Sequence, residues 1–243
     1  MIETRNLIKK FRDQKAVNEV NLSVPKASIY GFLGQNGSGK TTTIRMLTGL
    51  IKPTSGSGTI SGFDIVKDTL SIKHIIGVLP EEFKFYPSLS VFQALMYIGR
   101  LDGVKENLED RVLEVIEQTD LTKYTHSKVG TLSRGLNRRF GLAQSLLKSP
   151  KVLILDEATS GLDPIARREI HTLLRTLNKE KDVTVFFSTH ILSEVIELCD
   201  RFGVLRDGIL VIEENIDVLA TKEESKLEEM MLNYMGGSGS PYE

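Results

Sequence analysis

Short apolar runs separated by polar turns open the chain. Val20–Val24, closed by Pro25, and a later stretch through Gly58–Asp64 read as a small N-terminal β region. Ser28–Leu33 is a continuous apolar run, the pattern of a strand buried on both faces. Behind it, Thr41–Thr48 places Ile44 and Leu47 on one helix face, and Gly49 stands where that helix would stop. From about Val91 to Lys128 the spacing turns helical. Leu108, Val112, Val115, Ile116 and Thr119 share one face there, and no strand run interrupts them. This predicts a helical lobe inserted over about residues 82–150. Within it, Leu136, Phe140, Ala143 and Leu147 mark a further helix with Ser133 as N-cap. Strands return at Val152–Leu155, Thr184–Phe187 and Phe202–Leu205. Between the first two, Ile170, Leu173, Leu174 and Leu177 form an amphipathic helix started by Asp163-Pro164. Arg206-Asp207-Gly208 reads as a hairpin turn into Ile209–Glu213. Beyond Glu213 the chain reads as helical and charged. Alternating strands and helices predict an α/β fold with a mostly parallel sheet covered by helices, preceded by an antiparallel β subdomain.

Composition narrows the function classes. A chain of 243 residues suits one large domain, or a domain with an inserted lobe. Lys+Arg is 31 and Asp+Glu is 32, so the chain lacks the broad basic footprint of a nucleic-acid binder, and no nucleic-acid partner is expected. The single cysteine, Cys199, excludes an internal disulfide and a thiolate metal cluster. No apolar run approaches the ~20 residues a membrane-spanning helix needs. The N-terminus shows no apolar signal core, so any membrane role is expected to pass through a partner. Gly236–Ser240 resembles a flexible linker.

Against that background one loop changes the picture. Residues 34–41 read Gly-Gln-Asn-Gly-Ser-Gly-Lys-Thr, the phosphate-binding pattern G-x-x-x-x-G-K-[ST], between a predicted strand and a predicted helix. Glycines let the backbone N–H groups approach an anion, and the helix N-terminus adds positive potential. The candidate nucleotide contacts are Gly34, Gln35, Asn36, Gly37, Ser38, Gly39, Lys40, Thr41 and Thr42. Lys40 would reach the β- and γ-phosphates and Thr41 would hold Mg²⁺. The bland alternative is a glycine turn that binds nothing. Lys151–Glu157 is an apolar strand ending in two carboxylates, where ligand sites of open α/β sheets lie. Asp156 would face the Mg²⁺, and Glu157 would orient or deprotonate a water; taken alone, both could be solvated acids. His190 ends another apolar strand and falls at the same edge, as a γ-phosphate neighbour or a structural histidine.

Taken in order, these motifs resemble the ATP-binding cassette (ABC) ATPase subunits of membrane transporters, of the kind encoded apart from the membrane subunit. The resemblance covers about residues 1–215; 216–243 falls outside it. Gly34–Thr41 is similar to the family's Walker A motif and Val152–Glu157 to Walker B with its catalytic glutamate. Ser160-Gly161-Leu162-Asp163 resembles the D-loop, His190 the switch histidine, and Leu132-Ser133-Arg134-Gly135-Leu136 stands in place of the LSGGQ signature. Phe11 takes the place of the aromatic that stacks on adenine, with Val17 nearby to line the base site. The resemblance implies a P-loop NTPase that binds ATP and Mg²⁺ and pairs with a second ATPase subunit, as homo- or heterodimer. Ser133, Arg134 and Gly135 of one subunit would then meet the other's nucleotide, with Asp163 at the interface. It also implies an integral membrane transporter subunit as partner, a cytoplasmic location on the inner face of the membrane, and export as the direction.

The chain departs from the family pattern at several positions. Arg134 and Leu136 replace glycine and glutamine of the signature, and Gln35 and Ala158 stand where proline is frequent. Glu81 takes the place of the glutamine that contacts Mg²⁺; a carboxylate can still ligate the ion, but adds negative charge. After it, Phe83-Lys84-Phe85-Tyr86-Pro87 offers three aromatics, either as a docking groove for a partner helix or as packing for the lobe. A soluble ABC ATPase acting on ribosomes, nucleic acid or cluster assembly is the alternative reading. The insertions or basic arms common in such proteins are not seen.

Overall fold

The computed structural model describes residues 1–104 and 107–217. The chain opens with an antiparallel sheet in which β1 (Ile2–Phe11) pairs with β2 (Gln14–Val20), β3 (Ser23–Val24) and β5 (Ser55–Ile60), and β6 (Phe63–Asp64) pairs with β5. A second, six-stranded sheet carries the site. Its order is β11 (Ile209–Asn215), β10 (Arg201–Arg206), β4 (Ile29–Leu33), β9 (Thr184–Thr189), β8 (Val152–Asp156) and β7 (Ile76–Leu79). Only β11 runs antiparallel to its neighbour; the rest are parallel. Every residue of β4, β8 and β9 is buried, as expected where helices cover both faces.

The pleat divides these strands between two cores. Ile29 and Leu33, Leu153 and Leu155, and Val185 and Phe187 face one; Tyr30 and Phe32, Val152 and Ile154, and Phe186 face the other. That alternation is the two-residue period of extended chain. The second core is closed by the antiparallel sheet and by α1 (Lys40–Leu47), through Leu7, Val17, Val20, Ile44 and Leu47. The first is closed by α3 (Val91–Leu101), α4 (Leu108–Gln118), α5 (Arg134–Leu146), α6 (Pro164–Lys181) and α7 (Leu192–Leu198).

Caps set where these helices begin. Ser90 and Gln93 form a reciprocal capping box at α3. Asp163 Oδ1 accepts from the Ile165 and Ala166 amides and Pro164 takes the first turn, so α6 starts where the sequence places it. The α4 face is as expected, with Val112, Val115, Ile116 and Thr119 buried. The β10–β11 turn uses Asp207 (φ 49°) and Gly208 (φ 78°), the positive-φ pair that a two-residue hairpin requires.

The structure adds α2 (Thr69–Ile75) and β7, in a stretch for which the sequence reading named no element. It also continues β11 through Glu214 and Asn215, where a helical segment was expected. The expectations for residues 218–243, including the linker-like Gly236–Ser240, lie outside the described residues.

Candidate nucleotide-binding site

Parallel register brings three loops to one edge of the sheet. Leu33 of β4 pairs with Thr189 of β9, and Ser188 of β9 pairs with Asp156 of β8. The residues that follow, Gly34, His190 and Glu157, therefore leave the sheet side by side at its carboxyl edge. The Gly34 amide donates to the Thr189 carbonyl at 3.2 Å, and the Glu157 amide donates to the Ser188 carbonyl and to Ser188 Oγ. Ser188 Oγ in turn donates to Asp156 Oδ1 at 2.6 Å. One hydroxyl thus orients both carboxylate residues, a part the sequence reading did not assign to Ser188.

The glycine loop runs from Gly34 into α1. Gly39 has φ 109°, and a Cβ there would stand 2.4 Å from the Ala16 carbonyl, so only glycine lets the loop pass. No side chain caps α1 and its first turn holds no acidic residue, leaving backbone donors and helix dipole for an anion. Lys40 Nζ donates to the carbonyls of Gly34 (2.6 Å) and Gln35 (3.1 Å) and lies 3.3 Å from Glu157 Oε1. Glu157 Oε2 is 2.8 Å from His190 Nδ1. Lysine, glutamate and histidine thus form one line, with Lys40 and Glu157 buried and His190 partly open to solvent. Glu157 holds φ 49°, a sparsely populated conformation for a residue with a side chain.

A cavity of 390 Å³ opens on this line, with Gln35, Asn36, Gly37, Gly39, Lys40, Thr41 and Thr42 on one side and Glu81 and Glu157 on the other. Ser38 Oγ and Glu157 Oε1 are buried without a hydrogen-bond partner among the described residues, and a Cβ at Gly37 would meet open space. The Ser38 hydroxyl and the open backbone cradle can donate to a phosphate chain, whereas Glu157 Oε1 is an acceptor that faces Lys40 Nζ at 3.3 Å. Thr41 and Glu81 both reach the cavity, supplying oxygen donors suited to Mg²⁺; Asp156 is buried and does not line it.

Other expected residues stand elsewhere. Val17 has no exposed surface and packs in the second core; Ala16, one residue earlier, supplies the cavity wall instead. The expectation that Val17 lines a base site is corrected accordingly, because the pleat of β2 turns it inward. Phe11 is 49% exposed at the end of β1, with Lys9 Nζ 5.1 Å from its ring centre. Ser133, Arg134, Gly135 and Asp163 do not line the cavity. Ser133 Oγ caps α5 by accepting from the Leu136 amide. Arg134 Nη1 donates to the Gly161 carbonyl at 2.9 Å, so in the isolated chain it neither reaches this cavity nor hangs free. The next turn brings in a group the sequence did not flag. Arg138 donates to the Pro80 carbonyl, and burial lowers its guanidinium pKa against the raising influence of Glu81, Asp156 and Glu157.

A mostly parallel sheet, a glycine loop feeding a helix N-terminus, and a lysine–glutamate–histidine line at its carboxyl edge define a P-loop nucleoside triphosphatase. Residues 17–160 match the ABC transporter family model. The chain is 43% identical over 229 residues to the bacitracin transport ATP-binding protein BcrA of Bacillus licheniformis, covering 94% of this chain and 74% of that one. It is 35% identical to the lantibiotic transport ATP-binding protein SrtF of Streptococcus pyogenes, covering 92% and 95%. Among solved structures it is similar to cbiO1 of Clostridium perfringens, part of the ABC transporter complex cbiONQ (TM-score 0.80, 26% identity, covering 96% and 94%). It is also similar to a dimeric post-hydrolysis state of the ATP-binding cassette MJ0796 bound to ADP and phosphate (TM-score 0.79, 26% identity, covering 89% and 99%). The chain belongs to the ABC transporter family, as an ATP-binding subunit and ATPase.

Among the described residues no helix is long and apolar enough to cross a membrane.

Proposed function

We propose that this chain hydrolyses ATP with Glu157 as general base, to drive a separate membrane subunit that exports its cargo. The observation that carries this reading is the line Lys40–Glu157–His190 at the sheet edge, beside the glycine loop. Lys40 is held by Glu157 and two loop carbonyls. Phosphate arriving on the backbone donors of residues 35–42 would draw Lys40 away, freeing Glu157 Oε1 to accept a proton from water. His190, hydrogen-bonded to Glu157 Oε2, would fix the carboxylate and face the γ-phosphate. Thr41 and Glu81 on the cavity wall, with Asp156 buried behind it, would hold Mg²⁺, whose charge would offset that of the phosphates.

Phe11, half exposed at the end of β1, would stack on adenine. Ser133, Arg134, Gly135 and Asp163, away from this chain's own cavity, would serve the nucleotide of a second ATPase subunit, in the simplest assembly another copy of this chain. Binding then closes the pair and hydrolysis opens it. The ATPase domain would span residues 1–215, with the helical lobe over about 82–150.

A membrane subunit would dock near the lobe, where Tyr86 (59% exposed) packs edge to face on Phe85 and on Tyr97 (43%), which is tilted against Phe85. The chain would thus sit in the cytoplasm on the inner face of the membrane. Export is supported by relatives named for bacitracin and lantibiotic transport.

The test is affinity purification from native cells in mild detergent, with mass spectrometry of what accompanies the chain. A stoichiometric polytopic membrane protein is expected. Ribosomal or cluster-assembly partners without one would overturn the transporter reading in favour of a soluble ABC ATPase.

A further inference from the structure

The hydrolytic pair stands on two loops, and a buried carboxylate joins them. Glu194, on α7, is 1% exposed. Its Oε1 accepts from Thr159 Oγ1 at 2.6 Å, and its Oε2 accepts from Thr189 Oγ1. Thr159 lies two residues after Glu157, and Thr189 immediately precedes His190. Arg167 Nε lies 3.1 Å from Oε1, and the Arg167 amide donates to the Asp163 carbonyl at the start of α6. One side chain therefore ties together the turn bearing Glu157, the loop bearing His190, and the helix that follows the D-loop.

Burying a carboxylate is costly unless its oxygens are satisfied. Here they bind hydroxyls from two different loops, an arrangement that fixes a distance rather than merely filling space. The distance at stake is the 2.8 Å between Glu157 Oε2 and His190 Nδ1.

We infer that Glu194 is a positioning residue for ATP hydrolysis, holding the Glu157 turn and the His190 loop in register through Thr159 and Thr189. The inference rests on the roles proposed above for Glu157 and His190. It makes the two hydroxyls, rather than the threonine methyls, the functional atoms.

The test compares Thr159→Val and Thr189→Val, which keep the shape and remove the hydroxyl, with Thr159→Ser and Thr189→Ser, which keep the hydroxyl. Glu194→Gln is measured alongside. Steady-state ATP turnover gives kcat and KM separately, with Glu157→Gln in the same series. Each valine variant should lose about tenfold or more in kcat with KM within about threefold, since misplacement by an ångström costs on the order of a hundredfold. The serine variants should recover most of that loss. A purely packing role would give the reverse order, with serine the more damaging. Valine variants at the level of the unmodified chain, serine variants as slow as valine, or a loss confined to KM would each overturn the inference. Should Glu194→Gln fail to fold, the threonine pairs decide. If Glu157→Gln itself keeps its turnover, the underlying assignment of the base is what fails. If it loses turnover while the valine variants do not, only the positioning role fails.

Discussion

Glu157→Gln separates hydrolysis from binding, and the structure sets the size of both effects. Glutamine keeps the volume of a side chain that is almost wholly buried, and its amide can still meet His190, now 2.8 Å from Glu157 Oε2. What it loses is the charge and the proton-accepting oxygen. Removing a general base costs about 10²–10⁴ in rate, or roughly 3–5 kcal/mol on the barrier. Binding should respond in the opposite sense. Lys40 Nζ sits 3.3 Å from Glu157 Oε1, a buried ion pair that would compete with phosphate for the lysine. Stranding one partner of such a pair costs about 3–5 kcal/mol where nothing else satisfies it. Lys40 keeps the Gly34 and Gln35 carbonyls, so the free variant should lose only about 1–2 kcal/mol of stability. Relieved of that competition, ATP should bind as tightly as before or up to roughly tenfold tighter, about 1.4 kcal/mol. Phosphate release at saturating ATP, titration with a fluorescent ATP analogue and denaturant unfolding give the three quantities. A kcat within threefold of the unmodified chain, or ATP binding weakened more than tenfold, would refute the reasoning.

Lys40→Ala should do the reverse, removing charge-assisted bonds worth about 1.5–3 kcal/mol and weakening ATP binding roughly 10- to 150-fold; titration giving an affinity within twofold would count against the phosphate-loop reading. Phe186→Ala removes a fully buried ring stacked 5.5 Å from Tyr30 and tilted against Phe32 at 5.2 Å; unfolding in denaturant should show a loss of about 3–5 kcal/mol, and a loss under 1 would contradict the two-core packing. His171, buried on α6, has its pKa lowered from the ordinary 6.5, chiefly by burial, against the opposing carboxylates of Glu194 and Glu197. The folded state then binds this proton less readily than the unfolded chain, so the penalty is absent above 6.5 and grows as pH falls below it. His171→Phe should flatten the fall in Tm between about pH 7.5 and 5.5; an unchanged slope would exclude His171 as its source.

Much of this was legible in the sequence where local chemistry and tertiary environment agree. Val152–Leu155 and Thr184–Phe187 could be read as strands because a sheet covered on both faces demands unbroken apolar runs. The Asp163-Pro164 start of α6 was readable because capping is local. The glycine loop was readable because its backbone geometry admits few other residues. β7 was not: Ile76-Gly77-Val78-Leu79 is short and broken by a glycine. The reason for that glycine is distant, since a Cβ there would stand 2.1 Å from the Ser145 carbonyl of α5. Val17 was misjudged by one residue, which in a pleated strand exchanges cavity for core. Arg134 meets Gly161 across 27 positions, and no spacing rule connects them. Glu194 reads as one more acid on a polar helix face; only the convergence of Thr159 and Thr189 reveals it as buried.

The central claim is that ATP bound at the Lys40–Glu157 cavity is shared with the signature face of a second subunit. Sedimentation of the Glu157→Gln chain with and without saturating ATP tests it most directly. The account predicts a species near 27.1 kDa without nucleotide and about twice that mass with ATP, reversed by adding Ser133→Arg to block the shared face. A mass that stays near 27.1 kDa while ATP is demonstrably bound would contradict it.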